Sequence, residues 1–326
     1  MVAAELPIET SFDPIRKFDL SRDLDPVADL IEMCFPIHAD PDGRTYVKEM
    51  RKTARELRLM GRLVGLSDNY PLKSAGFVWE ENGKVIGNIS LIPLMRGGRR
   101  VQLIANVAVH PHHRRRGIAK KLTQRAFNAL RQQNETEVWL QVRDDNPAAI
   151  QLYRSFGFID QAIRTTWRIL PVDRNEQTNS PSRNCQVGRW FKRNWKAQQT
   201  WLEAAYPANI RWQLPVKFDQ FSTDILQQMA NFLEGNYLKH WTVKSNGEFQ
   251  GVITWQKTNT YADNLWLAFP VEKEAELLPS SLAQVLKHVN QKRPLSVDYP
   301  KGRCTEQFIH LGFEEFRSLI WMAYWL

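Results

Sequence analysis

One stretch limits the possible folds more than any other. A β-branched run ending at Val109 breaks at Pro111, crosses Arg114-Arg115-Arg116-Gly117, and then opens a pattern with apolar residues at Ile118, Leu122, Ala126 and Leu130. That spacing is helical, so the sequence reads strand, basic loop, helix. Such a join leaves unpaired backbone N–H groups at the helix start, where aligned peptide dipoles favour an anion by about 0.3–1 kcal/mol. Gly117 lets the anion come close to the backbone, and a phosphate is the natural guest.

The flanking sequence completes an alternation of strands and helices. Upstream, two β-rich runs surround Asn82-Gly83, a dipeptide that tolerates the positive φ angles of a tight hairpin, and Gly97-Gly98 makes the next turn. Downstream, 137–143 reads as a strand, Asn146-Pro147 starts a helix running up to Phe156-Gly157-Phe158, and 165–170 closes as a strand. Nearer the start, Asp25-Pro26 has the form of an N-cap followed by proline at the first helical position, and 45–63 carries a Lys/Arg-rich helical pattern.

A chain of 326 residues can hold two cores. Residues 171–184 have little that could be buried and read as a linker, which predicts domains at 1–170 and 185–326. Landmarks then recur beyond the linker. Asn246-Gly247 precedes Gly251 as Asn82-Gly83 precedes Gly87, and Phe308 to Phe313 echoes Tyr153 to Phe158. Landmarks in the same order favour a duplicated domain.

Composition excludes several classes. No apolar run reaches the ~20 residues that span a bilayer, so no membrane role is expected. The first residues carry neither a basic leader nor an apolar signal core, which predicts a cytoplasmic protein. Cys34, Cys185 and Cys304 lack metal-ligand spacing, so no metal is expected. A formal charge of +9 implies attraction to polyanions, either nucleic acid or a phosphorylated cofactor.

Three motifs in one order, Val107-Ala108-Val109-x-Pro111, Arg114 to Ala119, and Asn146-x-x-Ala149-x-x-Leu152-Tyr153-x-x-x-Gly157-Phe158, resemble the GNAT superfamily of N-acetyltransferases over roughly residues 10–170. The resemblance implies an α/β (α+β) architecture of two tandem GNAT-like domains, each a twisted mixed, mostly antiparallel sheet flanked by helices. It implies acetyl-CoA as acyl donor. The pyrophosphate would lie on Arg114, Arg115, Arg116, Gly117, Ile118, Ala119 and Lys120, and the pantetheine along Val107, Ala108, Val109 and Asn146. Tyr153 takes the place of the family's general acid, and its acceptor would be a primary amine on a small molecule or a peptide N-terminus. Asn146 and Tyr153 also have plain structural readings, as a helix cap and a core aromatic.

The departures from the family pattern matter as much. Ribosomal-protein alanine acetyltransferases share the Leu140 to Tyr153 pattern but carry Glu where this chain has Gln141, and Asn106 stands where many relatives have a carboxylate. Neither amide accepts a proton at neutral pH. A base would then be water, Glu80 or Glu81, or the acceptor would need a low pKa of its own. In the second half Phe308 replaces the acid, and Glu272, Glu274 and Glu276 replace the arginines, so that copy is expected to be degenerate. A silent acyl-CoA sensor is the alternative reading. Nucleic acid is not expected as a partner, because no aromatics are interleaved with Arg114 to Arg116.

Overall fold

The structure is a computed structural model that describes residues 13–64, 75–172, 185–214, 217–221, 237–289 and 292–326. Residues 173–184 of the expected linker lie outside that set. The described residues form two compact units, one from residues 1–140 with Tyr324–Leu326 and the other from Gln141–Ala323.

The first unit holds β1 (Ile15–Lys17), α1 (Leu20–Cys34), α2 (Pro41–Val64), β2 (Ala75–Glu81), β3 (Lys84–Arg96), β4 (Arg99–Val109), α3 (Ile118–Gln132) and the start of β5 (Glu137–Arg143), with strands in sequence order. Asn82 and Gly83, at φ 52° and 75°, turn β2 into β3, and Gly97 and Gly98, at 54° and 79°, turn β3 into β4. These are the two turns that the sequence predicts.

Alternation along β2 directs Val78 to one face, where it packs with Val27, Ile31 and Val47 of α1 and α2, and Trp79 to the other. On that second face α3 buries Ile118, Leu122, Ala126, Phe127 and Leu130. Gly87 allows the close approach, since a Cβ there would lie 2.9 Å from Ile118 Cγ2. Helix α1 begins six residues before the expected Pro26. Asp19 caps it by accepting from Ser21 N at 2.9 Å, and Pro26 is accommodated inside the helix.

The second unit contains the end of β5, α4 (Pro147–Ser155), β6 (Ile159–Ile169), β7 (Cys185–Arg189), α5 (Trp195–Ala205), α6 (Ala208–Arg211), β8 (Leu238–Ser245), β9 (Glu248–Gln256), β10 (Asp263–Ala268), α7 (Glu274–Leu286), β11 (Leu295–Pro300), α8 (Thr305–His310) and most of β12 (Glu314–Trp325). Its strands are ordered β12-β6-β11-β10-β9-β8-β7. The run of elements from β7 to β12 repeats the run from β1 to β6. The last strand of each run is exchanged. Strand β6, from the first half, pairs with β11 over Arg164–Ile169, while the end of β12 joins the first unit, where Leu326 N donates to Thr136 O at 3.0 Å and Tyr324 meets Phe127 edge-on. The result is a mixed α/β protein with a mostly antiparallel sheet flanked by helices.

Candidate active site

The candidate cofactor residues of the first unit lie along β4 and the turn that follows it. The parallel ladder between β4 and β5 covers three registers, Gln102–Ile104 with Val138–Leu140, and β4 continues five residues further to Val109. Within that continuation the strand bulges. Asn88 pairs with Ala108 and Ser90 with Ala105, so two steps along β3 answer three along β4, and Asn106 takes the left-handed conformation at φ 51°.

Asn88 holds the bulge. It is fully buried, and its Nδ2 donates to Asn106 O at 2.8 Å and to Ser90 Oγ at 3.2 Å. The Asn106 side chain turns the other way and donates to the Tyr46 hydroxyl of α2 at 2.8 Å. Val107 and Val109 are half-buried and Ala108 is buried. The strand end is fastened by Cys34, whose Sγ donates to Val109 O at 3.2 Å, and by Arg114 Nε, which donates to the same carbonyl at 3.3 Å.

Beyond β4, Pro111–His113 make one tight turn and Arg115 (φ 61°) and Gly117 (φ 76°) take left-handed conformations. Gly117 is the N-cap of α3 and supplies no side chain to it, so the N–H groups of Ile118, Ala119 and Lys120 start the helix without a side-chain cap. A Cβ placed on Gly117 would find no atom within 4 Å. Arg114, Arg115, Arg116 and Lys120 are exposed. Arg116 is tied to Glu81 at 3.1 Å and to His113 Nδ1 at 2.6 Å, whereas Arg115 has no ion pair among the described residues. Open space, uncapped donors and an unneutralised guanidinium suit a pyrophosphate. His110 is held below the ordinary imidazole range by burial and by the positive groups around it.

Neither nearby carboxylate is free to act as a base. Glu80 is clamped by Arg16 at 2.6 Å and Arg22 at 2.7 Å, and these bonds, Arg16's foremost, lower its pKa. The bond from Arg116 does the same to Glu81.

In the second unit, Asn146 caps α4 by accepting from Ala149 N at 3.1 Å, with Pro147 at the first helical position. Tyr153 is buried against Phe158, ring centres 5.8 Å apart, and burial raises its pKa above the ordinary phenol value. Its hydroxyl has no hydrogen-bond partner among the described residues. Gln141 donates to Gln213 Oε1 at 3.0 Å, a contact from the second half of the sequence that sequence reasoning missed. Tyr46 and Asn88 were also missed. The one available signal was Asn88 itself, an amide inside an otherwise apolar strand.

The corresponding place in the second half is built differently among the described residues. At the start of α7, Glu274 accepts from Arg303 Nε at 2.7 Å and from the Tyr299 hydroxyl at 2.7 Å. These bonds tie the start of α7 to the β11–α8 turn. Phe308, in the place of Tyr153, is fully buried and stacks on Trp167 with centroids 5.2 Å apart and planes 19° apart.

Residues 28–158 match the acetyltransferase (GNAT) family. The [ribosomal protein bS18]-alanine N-acetyltransferase of Escherichia coli (strain K12) is 37% identical over 62 residues, 19% of this chain and 42% of that protein, so the chain spans under half the length of that relative. An N-alpha-acetyltransferase of Sulfurisphaera tokodaii is 29% identical over 140 residues, covering 36% of this chain and 81% of the relative. A GCN5-related N-acetyltransferase from Sphaerobacter thermophilus shares the fold over 96% of both chains, with a TM-score of 0.55 at 13% identity. Residues 28–158 are thus similar to the acetyltransferase (GNAT) family, and nearly the whole chain shares the fold of a GCN5-related N-acetyltransferase.

Proposed function

We propose that this chain is an acyl-CoA-dependent N-acyltransferase that moves acetyl from acetyl-CoA to a primary amine, with its working copy in residues 1–170 and a degenerate copy in 185–326. The observation that carries the reading is the glycine-led start of α3, open and uncapped, directly after the bulged end of β4. When bound, acetyl-CoA supplies an activated acetyl thioester. Gly117, Ile118, Ala119 and Lys120 hold the pyrophosphate with backbone N–H groups, and Arg114, Arg115 and Arg116 add positive charge. Backbone groups of Val107, Ala108 and Val109 hold the pantetheine, with Asn146 assisting through the amide nitrogen left over from its cap. A backbone N–H at the bulge polarises the acyl carbonyl, a kind of contact worth about 2.7–4 kcal/mol elsewhere.

Tyr153, by its place in the motif, donates the proton that the departing sulfur needs. Burial keeps that proton in place across the neutral range. Neither Glu80 nor Glu81 takes the amine's proton, since both are held by arginines, and Gln141, engaged with Gln213, is an amide that accepts none. The acceptor must therefore shed its own. An α-amine, with a pKa of about 7.7–8, does so far more readily than a lysine at about 10.4. A peptide N-terminus is thus the acceptor class that this site suits. The Asn106–Tyr46 pair, where relatives carry a carboxylate, would orient that amine without deprotonating it.

A thiol-release screen with acetyl-CoA against short peptides, amino acids, polyamines and aminoglycosides tests the reading. Release is expected with free peptide N-termini and lost on acetylating them. A chain that binds acetyl-CoA yet releases no thiol with any acceptor would instead be an acyl-CoA sensor, the alternative that rests on the missing carboxylate.

A further inference from the structure

A second basic region lies on the second half, far in sequence from the arginine loop. Residues 185–202 and 237–262 together hold seven Lys or Arg (Arg189, Lys192, Arg193, Lys196, Lys239, Lys244 and Lys257) and one carboxylate, Glu248. All seven cations are exposed. In the first unit, arginines such as Arg16, Arg51 and Arg116 are consumed by carboxylates. Here Arg189, Arg193, Lys196, Lys239, Lys244 and Lys257 have no ion pair among the described residues. Charge left unbalanced over so short a span calls for a polyanion.

Strand register puts part of this charge on one sheet face together with aromatic rings. Arg189 is opposite Trp241 and Lys239 opposite Trp255, while Lys257 N donates to Tyr237 O at 3.0 Å. Facing residues, and residues two apart, share a side. The contacts agree, since Lys239 Nζ lies 4.9 Å from the Trp241 ring centre and Lys257 Nζ 5.2 Å from that of Tyr237. The turn after β7 repeats the unit once more, with the Arg193 guanidinium 5.2 Å from the ring centre of Phe191. Tyr237 is 48% exposed and Phe191 44%. Strand β7 ends the strand order among the described residues.

We infer that this face binds single-stranded nucleic acid, bases stacking on Tyr237 and Phe191 and phosphates meeting Arg189, Arg193, Lys239 and Lys257. Each ring adjoins a cation, which matches a polymer in which each base adjoins a phosphate. A duplex fits poorly because its bases are already stacked on one another. The sequence expectation against nucleic acid weighed Arg114 to Arg116 and the Lys/Arg-rich helical pattern at 45–63, and rested on the lack of aromatics interleaved with those arginines and of a nucleic-acid motif. In Trp190-Phe191-Lys192-Arg193, aromatics do adjoin the cations.

The test is fluorescence anisotropy of a labelled oligouridylate of about 12 nucleotides with the full chain, a length within the usual span of such sites. Saturable binding is expected, roughly tenfold or more tighter than to a duplex of equal length, and weakening steeply between about 50 and 200 mM salt. Tyr237→Ala with Lys257→Glu should weaken binding by about tenfold or more, a typical loss for one stacked base and one phosphate contact. Acetyl-CoA affinity should not change in that variant, which reports that it is folded, and Lys239→Glu alone serves as a second, milder variant. No saturable binding at the lower salt, equal affinity for the duplex, or undiminished binding by both variants would overturn the inference. So would a preference for anionic phospholipid vesicles over the oligonucleotide.

Discussion

Tyr153, the proposed general acid, is buried, and that burial sets the pH behaviour that the proposal expects of the site. A raised phenol pKa means that the acid form persists well into the alkaline range. Rate should therefore rise with pH as the acceptor amine loses its own proton, with no fall from Tyr153 below pH ~10. Tyr153→Phe keeps the ring and should lower turnover by about 10²–10⁴-fold at unchanged acetyl-CoA affinity. Steady-state kinetics beside calorimetry separates the two, and wild-type turnover would reduce Tyr153 to a core aromatic. Tyr46 belongs at the same scale. Tyr46→Phe removes the hydroxyl that Asn106 holds, and should raise KM for the acceptor several-fold, about the effect of one lost hydrogen bond, while acetyl-CoA binding stays as it was. Tyr153 is proposed from its motif in the sequence. Tyr46 could not be, because its contact is with a residue 60 positions away.

Among the elements, the exchanged strands decide how the chain is held together. Arg164 of β6 is almost fully buried in the second unit, paired with the Asp298 carboxylate, donating to Ala205 O at 2.7 Å and to Asp298 O at 2.9 Å, and lying 4.3 Å from the Tyr206 ring centre. Arg164→Ala should cost about 1–3 kcal/mol by removing a buried side chain together with its bonds to Ala205 O and Asp298 O, and Arg164→Met, which keeps much of the packing, should recover part of it. Denaturant unfolding of the full chain measures both. None of this exchange was legible beforehand. Residues 165–170 have a strand's pattern, but a pattern names no partner, and pairing β6 with β11 closes a loop of more than 120 residues. The hairpins at Asn82-Gly83 and Asn246-Gly247 were legible because a turn's φ angles are set by its own residues. Pro26 misled for the converse reason. Its form is a helix start, but Asp19 already caps the helix and the burial of Leu24, Val27 and Ile31 carries it through the proline.

For the whole molecule, stability should fall on mild acidification. His240 is half-buried among Trp190 and Phe221 with Nδ1 2.7 Å from Thr254 Oγ1, and loss of hydration there lowers its pKa to about 4. The unfolded chain binds a proton near pH 6.5 and the folded chain near 4. The folded state is thus fully favoured above about 6.5 and loses up to about 3 kcal/mol as pH falls to 4. Unfolding of His240→Gln across that window should show a visibly shallower slope. The duplication makes the sharper demand. One half has an open, glycine-led helix start, and the other ties its own Glu274 to Arg303 and Tyr299 at the corresponding place. Calorimetric titration of the full chain with acetyl-CoA tests this directly. One molecule should bind per chain, and Gly117→Glu, which puts bulk and negative charge where the pyrophosphate belongs, should abolish binding. Two molecules bound per chain, or undiminished affinity in the Gly117→Glu variant, would contradict it.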